Sequence, residues 1–355
     1  MTPTPDTRPA ASSKAPPIEA LVELRDLHVH FYNRRGLFQR TTVRAVNGVR
    51  LELRRGETVA VVGESGSGKT TLGRASLRLV MPVAGTVVFD GQDITKVPET
   101  KLKWFRRRAQ AVFQDPYSSI NPYMNVFQIV EEPLLVHGAG NKDQREARVR
   151  KALEEVRLRP VEAFTTKFPH TLSGGQRQRV GIARALVLEP EFIVADEPVS
   201  MIDASSRAEV LYLMRDLQRA YHIAFLYITH DIASARHFSD RVAVMYLGSI
   251  VEQGQAERVI EEPLHPYTQA LIQAVPEPNP ANRLSDRKVI PGEPPSPANV
   301  PTGCPFHPRC PRFMPDLCDL RKPELREVRP GHLAACFLYE DGGKEYQGDQ
   351  AKGKL

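Results

Sequence analysis

The sequence predicts an α/β protein built on a mainly parallel β-sheet, and two patterns carry that expectation. Thr58-Val59-Ala60-Val61-Val62 is short, apolar and largely β-branched, as a strand buried on both faces is; Gly63–Gly68 breaks the pattern and Lys69–Val80 resumes it as a helix. Farther on, Phe192–Ala195 and Ala224–Thr229 read as buried strands separated by an amphipathic helix carrying Val210, Met214 and Leu217. Strands alternating with helices in this way form parallel sheets, which take ligands at the carboxyl ends of their strands.

Along the chain, the first 20 residues are rich in Pro, Ala, Thr and Ser, lack an apolar stretch, and read as a disordered tail rather than a signal peptide. Strands at Leu24–Phe31 and Val49–Leu53 flank a charged excursion at Asn33–Thr42. From Val126 to Val187 the pattern is mostly helical; Val149, Leu153 and Val156 make one apolar stripe on a helix otherwise covered by Arg, Lys and Glu. After Gln253 the texture changes, and dense proline from Pro263 to Pro330 marks a loop-rich extension with little regular structure. The expected organisation is a tail at 1–20, a main domain at 21–260 with a helical subdomain at about 120–180, a Pro/Cys-rich extension at 261–340 and a second tail at 341–355.

With 355 residues, 41% hydrophobic and 25% charged, the composition is that of a globular protein. The net charge of +6 is too small at this length to argue for a nucleic-acid or membrane partner. The basic run Lys101–Arg108, with Trp104 and Phe105 inside it, reads as a solvated helix face, and nucleic acid is not expected. No stretch approaches the roughly 18 apolar residues that span a bilayer, so a cytoplasmic chain is expected.

Residues 63–71, Gly-Glu-Ser-Gly-Ser-Gly-Lys-Thr-Thr, match the phosphate-binding loop of nucleoside triphosphatases, in the strand–loop–helix context that the motif requires. Its glycines let consecutive backbone N–H groups converge on phosphate oxygens at the positive end of a helix. Lys69 would reach the β/γ-phosphates and Thr70 would ligate Mg²⁺; Gly63, Ser65, Gly66, Ser67, Gly68 and Thr71 complete the cradle. Phe192–Glu197 is a buried strand ending in two carboxylates, of which Asp196 is placed to hold Mg²⁺ and Glu197 to take a proton from an attacking water. Leu172-Ser173-Gly174-Gly175-Gln176 opens a helix and offers a second anion site.

Together these residues resemble the ATP-binding subunit of an ABC transporter, over about Leu21 to Leu338. The resemblance implies a P-loop ABC-type ATPase, with a RecA-like core, a helical subdomain, an N-terminal antiparallel β region and a small Cys-rich C-terminal extension. It implies that Phe31 stacks on adenine, with the adjacent Tyr32 as the alternative, that Gln114 contacts Mg²⁺ or the attacking water, that Asp203 is the D-loop aspartate and that His230 senses the γ-phosphate. It also implies that Ser173, Gly174, Gly175 and Gln176 serve the ATP held by a partner's phosphate loop, so that two ATPases sandwich two nucleotides.

The segment His265–Leu271 and the Cys-rich end are similar to those of oligopeptide and dipeptide importers; Val112–Tyr117 with Asn121-Pro122 is similar to the second of their two ATPases. The implied partners are two polytopic membrane permease subunits, a second, non-identical ATPase and an external solute-binding protein, at the cytoplasmic face of the membrane. Oligosaccharides or nickel are alternative solutes, and a soluble ATPase acting on nucleic acid is an alternative of another class. Cys304, Cys310, Cys318 and Cys336 are the chain's only cysteines; four thiolates suit a [4Fe–4S] cluster, as some members of this family carry, or tetrahedral Zn²⁺, and free thiols are the third reading.

Overall fold

The computed structural model describes residues 20–35, 39–115, 119–274 and 292–340. The two expected tails, apart from Ala20, and Pro116 and Tyr117 lie outside the described residues. The chain opens with a long antiparallel hairpin, β1 (Ala20–Arg35) and β2 (Gln39–Arg54). Residues 36–38 of the expected charged excursion lie outside the described residues, and the rest of it is part of these strands, with Asn33 opposite Thr41 and Arg35 opposite Gln39. Next come β3 (Thr58–Val62), α1 (Lys69–Ser76), β4 (Ala84–Phe89), β5 (Gln92–Asp93), α2 (Lys103–Arg108) and β6 (Ala109–Val112). β1, β2, β4 and β5 form an antiparallel sheet in the order β2-β1-β4-β5.

Helix α1 stops short of the expected Val80 because Arg78, at φ 54°, turns the chain away. That turn buries the guanidinium, which donates to the carbonyls of Ile94 (2.7 Å) and Val97 (2.8 Å). The basic run is partly spent inside the protein: Arg108 pairs with Asp90 and Glu191, and Phe105 is fully buried.

The helical part comprises α3 (Val126–His137), α4 (Lys142–Glu155), α5 (Glu162–Thr165) and α6 (Gly174–Leu186). Asn125, Asn141 and Ser173 start α3, α4 and α6 with reciprocal capping boxes, in which the cap and the third helical residue satisfy each other's backbone N–H. Val149 and Leu153 of the expected stripe are buried on α4, and Val156 caps its end.

β7 (Phe192–Asp196), α7 (Ala204–Tyr221), β8 (Ala224–Thr229), α8 (Ile232–Phe238), β9 (Arg241–Tyr246) and β10 (Ser249–Gln255) complete the alternation. β6, β7, β8, β3 and β9 lie side by side and parallel. This sheet is buried on both faces: Val59, Val61, Leu226 and Ile228 pack towards the hairpin, while Ala60, Val62, Phe225 and Tyr227 pack towards the helices on the other side. A Cβ on Gly73 of α1 would lie 2.5 Å from Ile228 Cδ1 and 2.9 Å from Val194 Cγ1, so only glycine lets this helix sit so close to the sheet.

The proline-rich extension is more regular than expected. α9 (Ala256–Glu261) and α10 (Pro266–Gln273) follow β10, and β11 (Arg326–Arg329) and β12 (His332–Ala334) form a hairpin whose β12 pairs with β10. The order in that sheet is β11-β12-β10-β9-β3-β8-β7-β6. The junction is fastened by Glu252, which is wholly buried and accepts from the N–H groups of Leu264 and His265, both at 2.8 Å, and meets His332 Nε2 at 2.7 Å. Proline density concealed these strands because neither is long enough to show an alternating pattern.

His265 Nδ1 accepts from the Tyr267 N–H at 3.0 Å and so caps α10. Burial pushes this imidazole down to about 4, with the Glu252 carboxylate pulling the other way. Since the folded value lies below the unfolded one, its stabilising effect is complete above about pH 6.5 and drains away as the pH falls towards 4. His265→Asn keeps a capping acceptor but removes the titration. Between pH 7 and pH 5 the unmodified protein should lose about 2 kcal/mol more stability than this variant, read from denaturant midpoints. Equal losses would show that His265 does not titrate on unfolding.

Candidate functional site

The parallel register brings four strand ends to one edge. Val62 lies opposite Thr229, Ile228 opposite Asp196, and Ala195 opposite Val112. The residues that continue these strands therefore share one rim: Gly63, His230, Glu197, and Phe113 with Gln114.

The loop 63–68 runs from β3 into α1, where Gly68 at φ 104° takes the capping position. A Cβ there would lie 2.0 Å from the Ala45 carbonyl of β2, so the hairpin closes directly over the loop. Lys69 Nζ donates back to the carbonyls of Gly63 and Glu64, both at 2.8 Å. Burial pushes this ammonium down, and Glu197, Asp196 and Glu64 all push it up. Ser67 Oγ is buried without a hydrogen-bond partner and Gly66 faces open space, as a cradle shaped for a ligand's oxygens requires.

Thr70 Oγ1 donates to Asp196 Oδ1 at 3.1 Å, uniting the two side chains expected at Mg²⁺. Burial raises the Asp196 carboxyl, with Thr70 opposing. A hydroxyl and a carboxylate are the hard oxygen donors that suit Mg²⁺, so the residues present fit the ion, which would neutralise phosphate charge there. Glu197 sits one residue beyond at φ 45°, an uncommon conformation for a side chain of this size, with its N–H donating to the Ile228 carbonyl at 2.9 Å. Gln114 Nε2 donates to Glu197 Oε2 at 3.0 Å, and His230 Nδ1 lies 3.2 Å from Oε1. The three residues expected to be catalytic are thus in contact. A carboxylate so bracketed can take a proton from water on its open side.

The ABC transporter profile matches residues 46–200, and the profile for the oligopeptide/dipeptide transporter C-terminal region matches residues 251–318. The oligopeptide transport ATP-binding protein AppF of Bacillus subtilis is 47% identical over 325 residues, which cover 90% of this chain and 98% of AppF. The chain belongs to the ABC transporter family. The dipeptide transport ATP-binding protein DppF of Escherichia coli is 44% identical over 324 residues, covering 91% of this chain and 95% of DppF. Among solved structures, cbiO1 from Clostridium perfringens, part of an ABC transporter complex, is similar at a TM-score of 0.60 and 29% identity, over 68% of this chain and 91% of that one.

Within this ABC fold the segment Leu172–Gln176, the family's signature, makes its contacts away from the chain's own phosphate loop. Ser173 and Gln176 are engaged with each other in the capping box, and no hydrogen bond or ion pair among the described residues joins 173–176 to 63–71. Gly174 instead lies against Ile202, beside Asp203. Asp203 caps α7, and hydrogen bonds from Ser205 and Ser206 hold its carboxyl down at about 2. Phe31 is 41% exposed and faces Val43 in the hairpin, two residues from the Ala45 that covers the loop.

The cysteines do not meet the expectation of a metal centre. None is in a disulfide, burial pushes Cys304 up to about 11 and Cys336 up to about 12, and neighbouring thiolates add to both shifts. The thiols are near enough to repel one another's charge, yet among the described residues no group of three or more Cys, His, Asp or Glu side chains is arranged to hold a metal ion. Neither the [4Fe–4S] cluster nor the zinc alternative expected at Cys304, Cys310, Cys318 and Cys336 finds support in this geometry.

Several residues at the site escaped the sequence reading. Gly248, after β9, donates its N–H to the Ser67 carbonyl at 2.9 Å, and Tyr267 and Arg309 both reach Glu64. Each lies far from the loop in sequence, and no local pattern links them. Glu197→Gln keeps the hydrogen-bonding shape but cannot accept the proton. This variant should bind Mg-ATP within about threefold of the unmodified affinity and hydrolyse it at least about 100-fold more slowly in a phosphate-release assay. Unaltered turnover would remove Glu197 from the chemistry.

Proposed function

We propose that the chain is the ATP-hydrolysing motor subunit of an ABC importer and couples ATP binding and hydrolysis to uptake of oligopeptides or dipeptides. The observation that carries this reading is the convergence of Gln114, Glu197 and His230 beside the Thr70–Asp196 pair and the phosphate loop. In the proposed reaction, water oxygen bonds to the γ-phosphorus, its proton passes to Glu197, and the bond to the β–γ bridging oxygen breaks to leave ADP. Lys69 and the loop N–H groups hold the β/γ-phosphates, Phe31 takes the adenine, and Gln114 and His230 orient Glu197 and the water. The names of the relatives and the C-terminal profile support peptides as the solute.

Two ATPases would face each other, each offering Ser173–Gln176 and Asp203 to the other's nucleotide; the engagement of the signature away from residues 63–71 supports that arrangement. The partner would be a non-identical ATPase. Among the described residues no helix is long and apolar enough to cross a membrane, so transport needs membrane subunits. Their docking place would be the cavity of about 380 Å³ between β6, α3 and α6, which is lined by Phe113, Ile120, Val136 and Arg184 among others and lies beside Gln114. Movement there would reach Glu197 through one side chain.

The test is purification of the full chain from its native membrane in mild detergent, with partners identified by mass spectrometry. Two polytopic permeases, a second ATPase and a solute-binding protein for peptides are expected. Recovery with nucleic acid or ribosomes and without permeases would leave the ATPase and overturn the importer.

A further inference from the structure

The C-terminal extension does not merely pack beside the ATPase core; it reaches into the phosphate-binding loop. Arg309, in the short helical turn between Cys304 and Cys310, is 6% exposed and donates through both terminal nitrogens to Glu64, at 2.9 Å to Oε2 and 3.2 Å to Oε1. The same guanidinium meets Tyr246 Oη, at the end of β9, at 3.4 Å. Tyr267 Oη, on α10, accepts from the Glu64 N–H at 2.9 Å. Tyr246, Tyr267 and Phe306 form one buried aromatic cluster, with ring centroids 4.6–5.4 Å apart. Residue 64 is therefore gripped at its backbone and at its carboxylate by two groups of the extension, which are themselves held in a packed cluster.

Glu64 occupies an awkward place. It is an acid inside a loop whose task is to receive a polyanion, and its own carbonyl is one of the two that accept from Lys69. Its charge is felt at Lys69. Left unpaired, this carboxylate would oppose a triphosphate across a few ångströms of partly dry protein, where a unit charge shifts binding measurably. A bidentate guanidinium cancels that charge and fixes the peptide that carries it.

We propose that Arg309 is a positioning residue of the nucleotide site: by neutralising and orienting Glu64, the extension completes the chain's own phosphate-binding loop. This deepens the ATPase reading and rests on it. A staple that only holds the extension down would look alike in outline, but it would be indifferent to which partner carries charge.

The experiment measures Mg-ATP affinity of the full chain by isothermal titration in three variants. Arg309→Met keeps the apolar stem and loses the charge, Arg309→Lys keeps the charge and loses the fork, and the third combines Arg309→Met with Glu64→Gln. A rise in Kd of about tenfold is expected for Arg309→Met, with Arg309→Lys within about threefold of the unmodified protein. The double variant should recover most of the loss, because no carboxylate is left to repel the phosphates. Equal affinities for the Met and Lys variants, or a double variant as weak as Arg309→Met alone, would overturn the proposal. An unmodified chain that binds no Mg-ATP would instead overturn the ATPase reading beneath it.

Discussion

The nucleotide site depends on the parallel register of β6, β7, β8 and β3 in a sheet buried on both faces. Because Val112, Ala195, Ile228 and Val62 fall close to one level, the chain leaves all four strands at a common rim. Side chains as far as 126 residues apart in sequence then meet: Gln114 and His230 on Glu197, and Thr70 on Asp196. A slip of one residue in any pair would turn these side chains to the opposite face and dissolve the site. Such a slip would also bring Ala60 and Val62 to the face that Val59 and Val61 fill, so the close packing on both faces of the sheet resists it.

At that rim, opposing electrostatic demands are balanced within a small volume. Burial disfavours charge on both Lys69 and Asp196, while the three neighbouring carboxylates favour it on Lys69. A site already rich in acids receives an anion more readily when its acids are matched by cations, and the chain supplies two, Lys69 on the loop and the buried guanidinium of Arg309, while Thr70 and Asp196 offer the oxygens that would hold Mg²⁺. The positive φ of Glu197 belongs to the same economy, since it aims the carboxylate towards Gln114 and His230 while its N–H is satisfied by Ile228.

The extension changes character when seen in three dimensions. Its proline content and cysteines suggested a separate, loop-rich appendage stapled by metal. Instead β12 joins the central sheet through β10, the wholly buried Glu252 fastens the junction, and Phe306 enters the aromatic cluster behind the phosphate loop. The thiols share a neighbourhood, but among the described residues they form no ligand set.

What the sequence by itself determined was local: the buried run Thr58–Val62 followed by a glycine loop, the acid pair at the end of Phe192–Glu197, and the Ser173 signature each declare their chemistry within a few consecutive residues. Similarity of Gln114, Asp203 and His230 to positions of one ATPase family extended that reading to residues whose types alone are uninformative. Tertiary structure decided the contacts that no local pattern encodes. Arg309 and Tyr267 reach Glu64 across 245 and 203 residues, Gly248 holds Ser67, and two strands too short to show an alternating pattern extend the sheet. The physical reason is that a hydrogen bond or ion pair between distant segments leaves no periodicity in either one; it exists only once the hydrophobic burial of both has set their separation.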